Sequence, residues 1–343
     1  MCRAVGPPHG LSRPWGGWTA PGRPAAGTSH PGSGSGHYRR GMRMIPVASA
    51  AYVAPVLAGP GRAVVVSAVF SGAVVLDVKD GERSARTTVV LLDPRATAVP
   101  LGVRATAPLP MVPVGAQGRV GDGGLDLAGT AFRLARTWSS SVPVIDPAAD
   151  RLAELTGRAR QSPLGLCHGR LANLAGALRD NDQQGVADGV RSLVGLGIGS
   201  TPAGDDVLAG LMVALHARGR ADLAASVSAA IDPTRTTSYS AALLVAAAAG
   251  HAALEALAVL RWLHRPTAAD PAPEHADPLK INASGRSAQF SSHSGPHTMI
   301  MGSHPIDRLL AVGHTSGADL TAGLLLGLRA DRAQLDPAGT EAA

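Results

Sequence analysis

The chain has 343 residues, of which 45% are hydrophobic and only 3% aromatic, so Ala, Val and Leu must build its core. This length allows two domains, or one large domain with unfolded additions. Of the formal net charge of +6, five positive charges are arginines within residues 1–41, which contain no acidic residue. Only about +1 is left for the rest of the chain, which excludes the basic surface that nucleic-acid binding requires.

The cysteine content and the hydropathy pattern predict a cytoplasmic protein. Cys2 and Cys167 cannot make a disulfide framework. Residues 1–41 contain no apolar run behind a basic start, so we expect no signal peptide. The longest apolar stretches fall short of the roughly 20 residues that span a bilayer, so we expect no membrane partner.

The first part of the chain predicts a tail and then a sheet. Residues 1–44 are rich in Pro, Gly and Ser, which predicts a disordered tail or a mis-assigned start. Residues 45–146 alternate apolar and polar side chains, and Asp80-Gly81 suits a hairpin turn. We expect a small, mostly antiparallel β domain here. Its strands are expected at 63–70, 72–78, 86–92, 112–114, 125–127 and 131–135.

The second part of the chain, residues 147–331, has the three- and four-residue spacing of helices and predicts an Ala-rich helical domain. Together with the preceding segment this gives an α+β fold class. Residues 265–304 are predicted to be a disordered insertion, and residues 332–343 a second tail. Helices are expected at 151–157, 171–178, 186–193, 205–216, 221–231, 240–249, 252–263 and 319–328.

Four histidines of that insertion have a spacing that suggests a metal site. No carboxylate or cysteine framework accompanies them, and their surroundings are of low complexity. We therefore expect no metal there. The four are His275, His293, His297 and His304.

Two stretches, residues 199–211 and 313–324, repeat one pattern, in which a turn of Gly, Ser and Thr leads into an apolar helix. A helix start leaves several backbone N–H groups without intrahelical partners and carries a partial positive charge. A small anion is therefore the expected ligand. With one residue skipped, the shared positions pair Thr201 with Thr315, Gly204 with Gly317, Asp206 with Asp319, Ala209 with Ala322, Gly210 with Gly323, and Leu211 with Leu324.

The first motif has both a structural and a functional interpretation. Ser200 or Thr201 is expected to cap the helix, with Pro202 at its first position and Asp205 and Asp206 in its first turn. An ordinary helix start would use the same residues. The density of glycine favours function, because glycine permits close backbone approach and positive φ angles. These glycines are Gly195, Gly197, Gly199 and Gly204.

Two further groups could carry chemistry. His314, beside Thr315 and Ser316 in the second motif, could act as acid or base near pH 7, or it could only fix the turn. Thr236, Thr237 and Ser240 open another Ala-rich helix, as caps or as ligand contacts.

The common nucleotide-binding patterns are missing. The third glycine of the dinucleotide fingerprint is misplaced, and no lysine follows the glycines as it does in a P-loop.

Three motifs together resemble one family. They are the glycine-rich Thr-Pro-x-Gly-Asp-Asp motif within 197–210, Thr236-Thr237 with Ser240, and Gly313-His314-Thr315-Ser316-Gly317-Ala318-Asp319. In that order they resemble the AllH-type family, long catalogued as a domain of unknown function. That family is associated with the oxamate carbamoyltransferase of anaerobic allantoin breakdown, a part of purine catabolism.

The resemblance implies a carbamoyltransferase subunit that interconverts oxalurate plus phosphate with oxamate plus carbamoyl phosphate, at a small-anion site on paired helix N-termini. It implies other transferase subunits as partners. Asp206 and Asp319 would orient the site or, alternatively, hold Mg²⁺; no other cofactor is implied. A non-catalytic ligand-binding or structural subunit is the alternative. The implied catalytic residues are His314, Asp206 and Asp319, and the implied substrate-binding residues are Gly197, Gly199, Ser200, Thr201, Gly204, Asp205, Thr236, Thr237, Ser240, Thr315, Ser316 and Gly317.

Overall fold

The computed structural model describes residues 43–79, 87–164, 168–265 and 304–330. Its first part consists of eight strands and one short helix. The strands are β1 (Arg43–Ala50), β2 (Arg62–Phe70), β3 (Ala73–Val78), β4 (Thr87–Leu92), β5 (Gly102–Ala105), β6 (Gln117–Gly121), β7 (Gly124–Leu127) and β8 (Thr130–Trp138), and helix α1 (Ala54–Ala58) follows β1.

These strands close into a barrel in the order β1-β5-β4-β3-β2-β6-β7-β8. The pairs β1–β8 and β4–β5 are parallel, and the other six pairs are antiparallel. The expected small antiparallel β domain is therefore wrong, because the barrel is closed and mixed. Closure depends on pairs such as Val47 with Leu134, and alternation along one strand does not identify so distant a partner.

Helices form the second part of the chain. Their bounds agree with the predicted ranges to within a few residues, and α9, which the apolar spacing did not reveal, is additional. Apart from a 3-10 helix at Pro233–Arg235, they are α2 (Ala149–Ala159), α3 (His168–Arg179), α4 (Gln183–Leu193), α5 (Ala203–Ala217), α6 (Ala221–Ala229), α7 (Ser238–Ala248), α8 (Leu254–Leu263), α9 (Pro305–Leu310) and α10 (Ser316–Arg329).

Each part has its own hydrophobic core, and α7 reaches both. The barrel is filled by Val, Leu and Ile side chains around Phe132, and its core also includes Ala246 of α7. Tyr239 and Leu243 of the same helix pack against this core. Leu244 and Ala247 belong to the core of the helices. One helix thus connects the barrel with the helical layer that carries the motifs. Among the helices described, none combines the length and apolar character needed to cross a bilayer.

Several predictions concern residues outside the described ranges. Of the expected tail at 1–44, only Arg43 and Met44 are described, and they belong to β1. The insertion at 265–304 is described only at its ends, and the tail at 332–343 not at all. At the end of the insertion, the His304 side chain accepts a hydrogen bond from the Ile306 N–H and caps α9.

Candidate functional site

The two motif helices, α5 and α10, lie against each other through glycine. A Cβ atom added to Gly210 would lie 3.0 Å from the Leu324 amide nitrogen and closer still to the Leu320 carbonyl oxygen. Such distances exclude any side chain at this position, so the two backbones are in direct contact.

The same contact occurs in the opposite direction. A Cβ atom on Gly323 would lie 2.8 Å from the Leu211 amide nitrogen and closer to the Val207 carbonyl oxygen. Gly323, Val207 and Leu211 are the counterparts of Gly210, Leu320 and Leu324 in the shared pattern, offset by 113 positions. The packing is therefore reciprocal, as in a local two-fold relation.

Farther along, Gly327 of α10 packs on Ala214 of α5, so the contacts advance in the same direction along both helices. The helices are parallel, and their N-termini lie together. The two motifs are therefore neighbours in the fold.

The turns before the helices also match. The Gly204 N–H donates to the Leu196 carbonyl at 2.8 Å, and the Gly317 N–H donates to the Val312 carbonyl at 2.9 Å. Each glycine also lies against the end of the preceding helix, Gly204 at Leu193 and Gly317 at Leu309. The repeated unit is therefore a helix end, a turn and a helix start.

Hydroxyl groups connect the two helix starts. The Oγ atoms of Thr201 and Ser316 are 3.2 Å apart, and both side chains hydrogen-bond the Asp206 carboxyl group. The expected capping by Ser200 or Thr201 is wrong, because the N-cap of α5 is Pro202 and makes no side-chain cap bond. The Thr201 hydroxyl contacts Ser316 of the other motif and the Asp206 side chain, and it does not cap the backbone of α5.

Both carboxylate oxygens of Asp205 accept hydrogen bonds. This residue is 1% exposed. Its Oδ1 accepts from the Gly195 N–H at 2.8 Å, and its Oδ2 accepts from the Ser240 hydroxyl at 2.7 Å and from Thr236. The α7 start is held in addition by Thr237, whose hydroxyl caps the helix through the Ser240 N–H and donates to the Ser200 carbonyl. Asp205 thus fastens the glycine loop, residues 195–199, to α7.

Asp206 has a different environment, although it is the next residue. It is 9% exposed, and its Oδ2 has no hydrogen-bond partner among the described residues. Burial raises the pKa of Asp206 to about 7, helped by the carboxylates of Asp319 and Asp205, while the hydroxyl groups of Ser316 and Thr201 act in the opposite direction. This side chain can gain or lose a proton near neutral pH.

Two more ionisable side chains belong to the same neighbourhood. Asp319 is fully buried and acts electrostatically on Asp206. Tyr239 of α7 packs near Phe70 of β2, with ring centroids 6.1 Å apart. Burial, and then the charge of Asp206, raise the pKa of Tyr239 to about 12, so it stays a neutral donor. Sequence reasoning did not include Tyr239 among the candidate site residues, although it selected the neighbouring Thr236, Thr237 and Ser240.

The remaining predicted residues lie at the rim. His314 is exposed. Thr315 is the N-cap of α10 without a side-chain cap bond. Gly197 and Gly199 are exposed and have φ angles of 118° and 102°, as the glycine-rich sequence predicts.

The described ranges contain no cluster of three or more His, Cys, Asp or Glu side chains that could hold a metal ion. The oxygen-rich pair of Asp206 and Asp319 has the donor type that Mg²⁺ prefers, but two carboxylates alone do not define such a centre.

Residues 193–295 match the family model of the oxamate carbamoyltransferase subunit AllH. The resemblance is thereby confirmed for the segment that holds the glycine loop, α5 and α7. No curated protein and no solved structure matches the chain.

Proposed function

We propose that this chain is a carbamoyltransferase subunit that binds a small anionic substrate at the joined starts of α5 and α10. The reaction would interconvert oxalurate plus phosphate with oxamate plus carbamoyl phosphate. The observation that carries the proposal is the meeting of two parallel helix starts, with the hydroxyl oxygens of Thr201 and Ser316 3.2 Å apart. One of these starts lies in the segment that matches the family model.

The physical argument begins with the helix starts. Two parallel helices of 15 and 14 residues direct their positive ends toward the same place. Hydroxyl groups there can donate to a carboxylate, a carbamoyl oxygen or a phosphate. Preorganised donors of this kind stabilise the oxyanion that forms when a carbamoyl group is attacked.

The glycine loop would form the entrance. Gly199 is exposed, and a Cβ atom added there would meet nothing within 4 Å. The space in front of the loop therefore admits a ligand, and the backbone can approach it closely. His314 at the rim is retained as a candidate proton donor, while Thr236 and Ser240 act through Asp205.

A second candidate function is a non-catalytic ligand-binding or structural subunit, with the chemistry on a partner chain. The exposed position of His314 favours it, because this candidate acid or base is not enclosed with the buried carboxyl groups. The name of the matched family, a subunit, is compatible with both functions.

Calorimetric titration of the purified chain with oxamate, oxalurate and phosphate tests the binding proposal. We expect Thr201→Val and Ser316→Ala each to weaken binding about tenfold, which corresponds to about 1.4 kcal/mol. Thr106→Val is the matched control, since this exposed hydroxyl donates to the Pro46 carbonyl on the barrel. If none of the three anions binds, or if the control weakens binding equally, the proposal is wrong.

An assay of carbamoyl phosphate formation from oxalurate and phosphate separates the two candidate functions. Turnover by the chain alone supports the catalytic subunit. Anion binding without turnover supports the non-catalytic alternative.

A further inference from the structure

Two carboxyl groups occupy equivalent positions at the joined helix starts, and their placement points to a joint role. We propose that Asp206 and Asp319 act as one carboxyl pair that holds a single proton and delivers it to the substrate. The identity of the substrate rests on the proposed function, whereas the existence of the pair does not.

The helix geometry places both groups on the contact face. Asp206 precedes Gly210 by four residues, and Asp319 precedes Gly323 by four residues. Residues four apart lie on the same face of an α-helix. Since Gly210 faces α10 and Gly323 faces α5, each aspartate lies one turn before the point of backbone contact, on the side of the other helix.

The surroundings do not favour two negative charges. Asp206 is nine-tenths buried, and its Oδ2 has no hydrogen-bond partner among the described residues. The charges that act on it electrostatically are the carboxylates of Asp205 and Asp319, and Tyr239 of α7 is neutral. Buried carboxyl groups in such proximity keep one proton, because the second ionisation would place like charges together in a poorly solvated site.

The neighbouring Asp205 has hydrogen-bond partners that Asp206 lacks. Both of its oxygens accept hydrogen bonds, from a backbone N–H and two hydroxyl groups. Its negative charge is therefore compensated by donors. At Asp206, by contrast, an unfilled oxygen is available to hold and transfer a proton.

A shared proton fits the balance of the proposed reaction. An oxygen of hydrogen phosphate forms a bond to the carbamoyl carbon of oxalurate, and the bond from that carbon to the amide nitrogen breaks. The pair gives its proton to the departing nitrogen, which yields oxamate. It then takes up the proton that hydrogen phosphate releases, so the pair returns to its starting state.

Carbon-13 NMR titration of the full chain, labelled at the aspartate carboxyl carbons, tests the pair without any ligand. We expect one carboxyl group to titrate near pH 7 in the wild type and to be missing in Asp206→Asn. In Asp319→Asn the midpoint of Asp206 should fall, because a neighbouring negative charge is removed. Asp188→Asn on α4, where the side chain is 62% exposed, is the matched control and should leave the titration unchanged.

The pair is refuted if no aspartate carboxyl titrates between pH 6 and 8. It is also refuted if the midpoint of Asp206 is unmoved in Asp319→Asn, since Asp206 would then be an isolated acid.

Calorimetry of oxamate binding at pH 8, in two buffers with different ionisation enthalpies, tests delivery to the substrate site. We expect the wild type to take up as much as one proton with the anion, and Asp206→Asn to take up none. Binding without proton uptake would overturn the role in the reaction. Absence of oxamate binding would refute the proposed function, and with it the delivery step, while the NMR titration still decides the pair.

Discussion

The starts of α5 and α10 share one plan but differ at the residue that follows the turn glycine. In both, the N–H of a glycine (Gly204 or Gly317) closes the turn. A second glycine six residues later, Gly210 or Gly323, touches the other helix, and an aspartate lies between the two glycines. Where α5 has Asp205, α10 has Ala318. Asp205 fastens the glycine loop and α7, a task that the second start does not have. Asp205 is therefore an anchoring carboxylate, whereas Asp206 and Asp319 occupy equivalent positions in the two helices.

The turns also differ in length. Eleven positions separate Leu193 from Gly204, whereas eight separate Leu309 from Gly317. The longer turn contains Ile198, which is 97% exposed. The added length gives the first start the open glycine loop, which the anchoring by Asp205 then holds in place.

The reciprocal glycine contacts should have the largest effect on stability. Gly210→Ala and Gly323→Ala each force a methyl group into the backbone of the other helix, so we expect each to lower the free energy of unfolding by about 3 kcal/mol. Urea denaturation measures this. Gly176→Ala on α3 is the control, because an added Cβ there meets nothing within 4 Å and alanine favours a helix. Markedly unequal losses in the two variants would refute the reciprocal packing.

The anchoring role of Asp205 predicts a loss of about 2 kcal/mol in Asp205→Asn, because charge-assisted hydrogen bonds are weakened. Asp182→Asn serves as the comparison. Asp182 caps α4 by accepting from the Gly185 N–H at 2.9 Å, and asparagine caps equally well. Equal stability of the two variants in urea would show that Asp205 is no anchor.

The environment of Asp206 predicts a pH dependence of stability. Its pKa is raised in the folded protein from 3.8 to about 7, so the folded chain binds this proton more tightly than the unfolded chain. The resulting stabilisation is complete below about pH 4 and is lost as the pH rises to about 7. Relative to Asp206→Asn, the wild type should lose as much as about 1.4 kcal/mol per pH unit in this window. Urea denaturation of both proteins at pH 5, 6 and 7 checks this, and parallel pH curves would contradict it.

Local signals were enough to predict the secondary structure around the site. The range 205–216 is close to α5 at Ala203–Ala217, because apolar spacing and acidic residues in the first turn act within the helix itself. The barrel was not predictable in this way. Its closure needs the parallel pairing of β1 with β8, whose residues are almost ninety positions apart. The six-residue helix α9 is too short for its period to be recognised.

The candidate site was predictable in its residue types but not in their roles. Asp205 and Asp206 are adjacent and look equivalent in the sequence. Successive residues of a helix point about 100° apart, so one reaches the α7 start and the other the α10 start. Thr201 is a residue type that commonly caps helices, yet its hydroxyl contacts Ser316, which is 115 positions away. Only the tertiary packing shows which role each of these residues has.

A double-mutant cycle on the free energy of unfolding at pH 8 tests most directly whether Asp206 and Asp319 act as a unit. On the proposed account the pair has given up its shared proton at this pH, so each single change to asparagine relieves the same repulsion. The double variant should therefore fall short of the sum of the two single effects by about 1 kcal/mol or more. Additivity within about 0.5 kcal/mol would show that the two carboxyl groups are independent, and the joined helix starts would then not form one site.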